Sequence, residues 1–271
     1  MDNNLLEKIV ALCKRRGFIY PGSEIYGGLA GTWDYGPLGA ELKRNIKNQW
    51  WKDVVQLRED IVGFDAAIMM NPKVWESSGH LEAFTDPLVE CKICHERFRT
   101  DHQDKIEEHE ESHKDEKVEW TEPQQFNLLV KAYLGVLEGK QNEIYLRGEI
   151  TQGVQVNFKN VLDSTRIKIP FGIAQIGKAF RNEITPGNFT FRSREFEQME
   201  VQFYVKPDEA EGKKWYEYWK KHWMDWYINL GINSDKLRFK DHEEGERAHY
   251  AKAATDLEYS APWGWAEFMG I

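Results

Sequence analysis

Two short strings in this sequence combine the side chains that hold phosphate, base and amine: FRNE at residues 180–183 and RSREFEQME at residues 192–200. Arginine presents a planar fork of donors matched to phosphate oxygens. An accessible Phe offers a flat platform for a base, and a carboxylate can hold an ammonium group. Residues 179–205 read as two strands with a turn about Pro186 and Gly187. On a strand running from 191 to 205, period-two alternation puts Arg192, Arg194, Phe196, Gln198, Glu200 and Gln202 on one face, and Met199, Val201, Phe203 and Val205 on the other. Arg181 and Glu183 share a face of the first strand. The apolar set is a core face, and the polar set is a floor on which a nucleotide and an amino acid could lie. A solvated sheet face shows the same alternation, so the pattern alone leaves both readings open.

A second group of side chains has metal-ligand spacing. Cys91 and Cys94 stand at C-x2-C and His109 and His113 at H-x3-H, with fourteen residues between the pairs. That is the range of a tetrahedral zinc site. Phe98 and Ile106 fall where a small zinc finger keeps its core residues. Around them, residues 85–122 carry dense charge and hardly an apolar side chain after residue 100, so the segment reads as an inserted module with little but a metal to fold around. The competing reading is a solvated charged helix beside an incidental Cys pair.

These groups need a scaffold to position them. A composition that is 41% hydrophobic with eleven Trp residues is that of a folded globule. Leu38, Leu42, Ile46, Trp50, Val54 and Leu57 form the stripe of an amphipathic helix, which should pack on a sheet or a partner. The loop before it, residues 20–39, is rich in glycine and aromatic side chains. A helix is expected over residues 123–137, strands over 144–158 and 173–184, and a Trp-rich helix over 209–230, whose Trp215, Trp219 and Trp226 read as core. Strands without regular alternation with helices indicate an α+β antiparallel sheet flanked by helices. The net charge of −9 argues against a surface that grips nucleic acid throughout, so any RNA contact is local. Three Cys residues make no disulfide framework, and neither a signal peptide nor an apolar run of membrane-spanning length is found. The expectation is a cytoplasmic protein with no membrane partner.

FRNE, a loop and then RSREF resemble the second signature motif of class II aminoacyl-tRNA synthetases. WDYGPLG at 33–39, MNPKVWESSGHLEAFTDPLV at 70–89, TEPQQFNL at 121–128, FGIAQIGKAFRNEITP at 171–186, REFEQME at 194–200 and HYAKAATD at 249–256 are similar to the homodimeric glycyl-tRNA synthetases. The resemblance covers nearly the whole chain. It implies the class II antiparallel fold, with a catalytic domain over residues 1–84 and 123–271 and the inserted zinc-finger-like module over 85–122. It also implies that Arg181 holds the α-phosphate of ATP, Glu183 meets the adenine amino group, Arg192 meets the γ-phosphate and Phe196 stacks on adenine. Asn182, Phe191, Arg194 and Glu195 join the ATP contacts, as do Glu267 and Phe268 in GWAEFMGI, where a carboxylate supports ATP and its Mg2+. Glycine falls to Glu149, Glu200, Gln198, Phe196 and, in RFRTDH, Arg99. The first class II motif, through residue 72, implies a homodimer interface.

The reaction so implied joins glycine to ATP as glycyl-adenylate, then passes the glycyl group to tRNA(Gly). The attacking carboxylate is already ionised, so positioning and electrostatics can carry the chemistry without a protein nucleophile. Three features depart from the family pattern. RGEITQG at 147–153 keeps Glu149 but has Gly148 where the family has Pro. The insertion lacks the second Cys pair of some relatives, so the Cys2His2 set is read from spacing. The sequence given ends at Ile271, ahead of where a third motif and an anticodon-binding domain are expected, which keeps open a non-enzymatic, tRNA- or partner-binding relative.

Overall fold

An opening helix, α1 (Asn3–Arg15), gives way to two short strands, β1 (Ile19–Pro21) and β2 (Trp33–Tyr35), and then to α2 (Pro37–Trp51), which runs on as a π-helical stretch, Lys52–Gln56. Next come β3 (Ile61–Phe64), α3 (Pro72–Ser77), α4 (His80–Ala83), β4 (Thr85–Glu90), β5 (Arg97–Arg99), α5 (Gln103–Ser112), β6 (Gln124–Asn127), β7 (Val130–Leu134) and β8 (Asn142–Leu146). The elements α6 (Thr151–Thr165), β9 (Phe171–Phe180), β10 (Glu195–Tyr204), α7 (Glu209–Asn229), β11 (Leu237–Asp241), β12 (Thr255–Ala261) and β13 (Gly264–Gly270) follow. This computed structural model describes residues 3–100, 103–113, 117–135, 142–243, 245, 247 and 251–271. It divides into a larger unit of residues 17–168 and 172–202 and a smaller unit of residues 1–16, 169–171 and 203–271. Residues 85–122, expected as an inserted module, fall within the larger unit. Among the described residues no helix is long and apolar enough to cross a membrane.

The α+β expectation holds. β1–β2, β4–β5, β4–β6, β7–β8, β11–β12 and β12–β13 all pair antiparallel. In the sheet ordered β10-β9-β3, β3 and β9 run parallel from Ile61 opposite Gly172 to Phe64 opposite Gln175. A parallel pair needs a long crossover, and everything from α3 to α6 lies within it.

In α2 the expected stripe divides. Trp50 and Val54 are buried to 1% and 0% exposure, whereas Leu38, Leu42, Ile46 and Leu57 stay exposed. Pro37 opens the helix at its first turn, where a missing N–H costs nothing. Here the backbone lies against the turn before β1: Gly36 N–H donates to Phe18 O at 3.0 Å and Leu38 N–H to Gly17 O at 3.2 Å. A Cβ on Gly39 would stand 1.8 Å from Phe18 O, and both sides of that contact are backbone. Gly39→Ala is therefore expected to cost about 1–3 kcal/mol by overpacking, read as a fall of several degrees in Tm; an unchanged Tm would mean that α2 shifts freely.

Three expected elements come out differently. Where a helix is expected over 123–137, the described residues 123–135 carry β6 and β7 instead, residues 136 and 137 lying outside the described ones. Asn127 sits at the break, donating its side-chain amide to the carbonyls of His80 and Leu81 at 3.0 Å each and accepting from Leu129 N–H at 2.8 Å. Residues 144–158 are strand only as far as Leu146 and then become α6. Val154, Val156 and Phe158 mimic a strand period, but Ile150, Val154 and Val161 are the buried set while Val156 is exposed, which is a helical face. The second chemical strand begins at Glu195 rather than 191, because Arg194 N–H donates to Gly31 O at 2.7 Å. On β10 the expected core face is only half-buried, like the opposite one. It also carries Glu197, held by Lys43 and Lys47 of α2 at 3.0 Å each.

In the smaller unit, α7 starts at Asp208, whose carboxylate accepts from Glu211 N–H at 3.0 Å. Trp219, Trp223 and Trp226 are buried, and Phe203 packs on Trp215 and Trp219 at ring separations of 4.5 and 5.2 Å. Trp219 and Trp226 are core, as expected, and Trp223 joins them, whereas Trp215 is only half-buried.

Candidate active site

Residues 148–151, where the chain turns into α6, bring residues expected at the site together. Gly148 O accepts from Arg181 Nε at 3.1 Å, and Glu149 Oε1 lies 2.6 Å from Gln152 Nε2 and 3.2 Å from His80 Nε2. Ile150 N–H donates to Gln198 Oε1 at 3.2 Å, and the Thr151 hydroxyl donates to Glu200 Oε1 at 2.7 Å. Ile150 caps α6 with no side-chain acceptor, so its N–H, one of the orphan donors of a helix start, is met by β10. Buried Gln175 on β9 adds two more ties, accepting from Ala66 N–H at 2.7 Å and donating to Ile150 O at 2.9 Å. Arg147, 2% exposed, donates to Lys178 O at 2.6 Å and Ala66 O at 2.8 Å. Burial lowers its pKa, opposed by the charge of Asp65. The turn is thus bolted to both strands that carry the chemical strings.

The Arg181 guanidinium lies 5.2 Å from each of the rings of Phe84 and Phe196, within cation–π range. Among the described residues only its Nε is committed to a side-chain hydrogen bond, which leaves both Nη groups for an anion. Gly148 makes room for this arrangement, since a Cβ there would stand 2.7 Å from Phe84 Cε1. The two carboxylates differ. Burial acts to raise Glu149, but hydrogen bonds from His80 and Gln152 and the nearby Arg181 charge leave it below the ordinary range. Burial, with help from the charge of Glu149, holds Glu200 above the ordinary range despite the donors Thr151 and Gln202.

Other expected site residues are placed as follows. Asn182, buried Glu183 and Arg194 line a cleft of about 630 Å³ with Arg97, Phe98 and Phe126. Arg194 is also a strut, donating to Glu183 O at 3.0 Å and Ala30 O at 2.8 Å. Phe191 is exposed, and Arg192, half-buried, has no side-chain partner among the described residues. Glu195 pairs with Lys178. Arg99 pairs with Asp86 at 2.8 Å. Glu267 and Phe268 lie on β13 in the smaller unit, where Phe268 stacks on Tyr259 at 5.0 Å. His249 and Tyr250 of the HYAKAATD string lie outside the described residues.

The four residues with metal spacing do converge. Cys94 Sγ is 3.5 Å from His109 Nε2, Cys91 Sγ is 4.0 Å from His113 Nε2, and all four ligand atoms lie within 4.8 Å of one another. Tetrahedral zinc, with bonds of about 2.0–2.3 Å, needs ligand separations of about 3.3–3.8 Å, so a small contraction suffices. Backbone bonds from Cys91 N–H to Glu96 O (2.8 Å) and from His95 N–H to Cys91 O (2.9 Å) shape the knuckle. Glu96 Oε2 lies 3.4 Å from His109 Nδ1, the outer-shell carboxylate that aims Nε2 at a metal. Burial opposes ionisation of the Cys91 thiol, but hydrogen bonds from the Cys94 backbone and the His109 side chain bring it down to about 7. Cys94 is pushed up, its backbone bond at Glu96 being outweighed by burial and by Cys91. The donors fit a structural metal.

No protein-family model matches the chain. Over 98% of its length it is 52% identical to a glycine–tRNA ligase of Alkaliphilus oremlandii and 53% identical to one of Geobacillus thermodenitrificans, and it covers 62% of each. It is 53% identical over 98% of its length to the glycine–tRNA ligase of Borrelia garinii subsp. bavariensis, of which it covers 59%. The chain is homologous to the glycine–tRNA ligases. It spans about 62% of the length of the relatives it matches.

Relative to the glycine–tRNA ligase resemblance read from the sequence, the structure adds His80, Thr151, Gln152, Arg147 and Gln175 to the site. Thr151 and Gln152 could have been found as neighbours of Glu149. His80 and Gln175 carry no spacing signal, because they reach the turn from elements 69 residues before and 26 residues after Glu149.

Proposed function

We propose that this chain carries the glycine-activating site of a glycine–tRNA ligase with the class II fold, joining glycine to ATP and then to tRNA(Gly). The observation that carries this reading is the turn at residues 148–151, whose successive groups gather Arg181, Glu149, Gln198 and Glu200 in one place. Two carboxylates beside one guanidinium suit a substrate with an ammonium at one end and a carboxylate about to attack a phosphate at the other. Gln198 and Glu200 frame the amino acid on β10, Phe196 offers its face to adenine, and Arg181 meets the charge that grows on the α-phosphate. Asn182, Glu183, Phe191, Arg192 and Glu195 extend the nucleotide contacts; Glu267 and Phe268 support ATP and its Mg2+, which neutralises phosphate charge when bound. Arg99 serves the substrate from beside Asp86.

The exposed Leu38, Leu42 and Ile46 of α2 suit the covered face of a homodimer. Cys91, Cys94, His109 and His113 hold a structural Zn2+ in the inserted module, and the setting is the cytoplasm.

The test is ATP–pyrophosphate exchange on the whole protein. Glycine should drive it, whereas alanine and serine should not, because larger amino acids are excluded by volume. Exchange that is absent, or equally driven by alanine, would overturn the reading. Glu200→Gln is expected to raise the glycine KM at least about 10-fold, the worth of a hydrogen bond to a charged group. The ionised carboxylate is the form that holds ammonium. Because Glu200 is raised and Glu149 lowered, acidification should protonate Glu200 first and raise the glycine KM before Glu149 titrates. A glycine KM flat on the acid side would remove Glu200 from the site.

A further inference from the structure

We propose that His80 is a positioning residue that fixes which oxygen of Glu149 is offered to the substrate ammonium, an inference resting on the reading of Glu149 as an ammonium ligand. His80 Nε2 stands 3.2 Å from Glu149 Oε1, the same oxygen that takes Gln152 Nε2 at 2.6 Å. Two donors on Oε1 leave Oε2 with no partner among the described residues. An ammonium group arriving there meets an acceptor that is already aimed and need not rotate.

The imidazole is held from three sides. Its ring lies 5.5 Å from that of Trp75, edge to face, and 5.1 Å from that of Phe84. Trp75 is fully buried in a cluster with Leu129 and Tyr145, which fixes the wall behind the ring. On the far side, Ser78 Oγ lies 2.9 Å from His80 Nδ1 and 3.3 Å from Trp75 O. One hydroxyl proton serves only one of these acceptors at a time, and the nearer is Nδ1. With Nδ1 accepting, the neutral ring carries its proton on Nε2, the tautomer that donates to a carboxylate. The turn that permits this passes through Gly79 at φ +77°, a left-handed conformation that favours glycine. Phe84 also faces Arg181, so the short segment from Trp75 to Phe84 backs both the ammonium and the phosphate ends of the site.

Steady-state exchange kinetics on the whole protein test this. His80→Ala should raise the glycine KM about 10- to 100-fold, with the ATP KM and kcat within about threefold. His80→Gln, whose amide can reach the Nε2 position, should recover most of the loss. In a Glu149→Gln background His80→Ala should add nothing, since the two act as one unit. An unchanged glycine KM in His80→Ala, with Glu149→Gln impaired, would overturn the inference and leave the site reading intact. An unchanged glycine KM in Glu149→Gln would overturn both. Equal losses in kcat and in both KM values, not recovered by Gln, would make His80 a packing residue and also overturn it. Should His80→Ala not fold, Ser78→Ala carries the same test, with a rise of about 3- to 10-fold in the glycine KM expected and no rise overturning it.

Discussion

Arg181→Ala is expected to slow glycine-dependent ATP–pyrophosphate exchange about a hundred- to a thousand-fold, the cost of removing one preorganised group from the charge that develops in a transition state. The expectation follows from how the side chain is held. Its Nε is anchored on Gly148 O, its guanidinium lies 5.2 Å from each of the rings of Phe84 and Phe196, and its Nη groups have no acceptor among the described residues. The orientation is therefore set before substrate arrives, and little reorganisation remains when the phosphate gains charge. Because the loss falls on the transition state, kcat should drop far more than either KM changes. Arg181→Lys should recover little, since an ammonium keeps the charge but loses both the planar packing and the Nε anchor. Exchange at the wild-type rate in Arg181→Ala would remove Arg181 from the chemistry and leave it a brace for the turn at Gly148.

Arg181 also marks what a sequence can and cannot show. Its type and its place in FRNE were legible, but the strand assigned to it was not. β9 stops at Phe180, and Arg181 reaches the site from an irregular stretch whose N–H donates to Arg194 O at 2.9 Å. Period-two alternation predicted a shared face for Arg192, Arg194 and Phe196, yet Arg194 turns to the carbonyls of Ala30 and Glu183. A partner 164 residues away leaves no local mark on the sequence. The same limit hid the split of α2: hydrophobic spacing reports a stripe, not whether the molecule itself covers it. It also hid α6, where strand-like and helix-like periods coexist and only the burial of Ile150, Val154 and Val161 decides. The side chains of the Cys and His cluster, by contrast, converge as their spacing implied, because metal-ligand spacing is a short-range signal. Even there Trp120, 5.6 Å from Phe98 and 5.5 Å from His109, joins the rings around the cluster from beyond the spacing pattern.

Cys91→Ala is expected to remove one bound zinc per chain, read by elemental analysis of the purified protein. It should also make the segment 85–122 the first site of limited proteolysis. Structural zinc is worth about 10–16 kcal/mol in small finger peptides, more than any other single interaction in so polar a segment. Without the ion, four donors crowd within 4.8 Å, with the rings of Phe98 and Trp120 packed on His109 among the described residues. Cys91 is the residue to change because it is fully buried and sits where the chain returns to pair with Trp120. Its loss acts on the knuckle itself, whereas Cys94 is exposed. The effect should reach further than the metal. Arg97 and Phe98 lie just past the knuckle and line the same cleft as Asn182 and Glu183. Loosening that wall should raise the ATP KM while leaving the glycine KM, set at the turn of residues 148–151, close to wild type. A protein that holds no zinc before mutation would refute the metal assignment. A Cys91→Ala variant that loses zinc yet keeps its ATP KM would show that the cleft wall stands without the module.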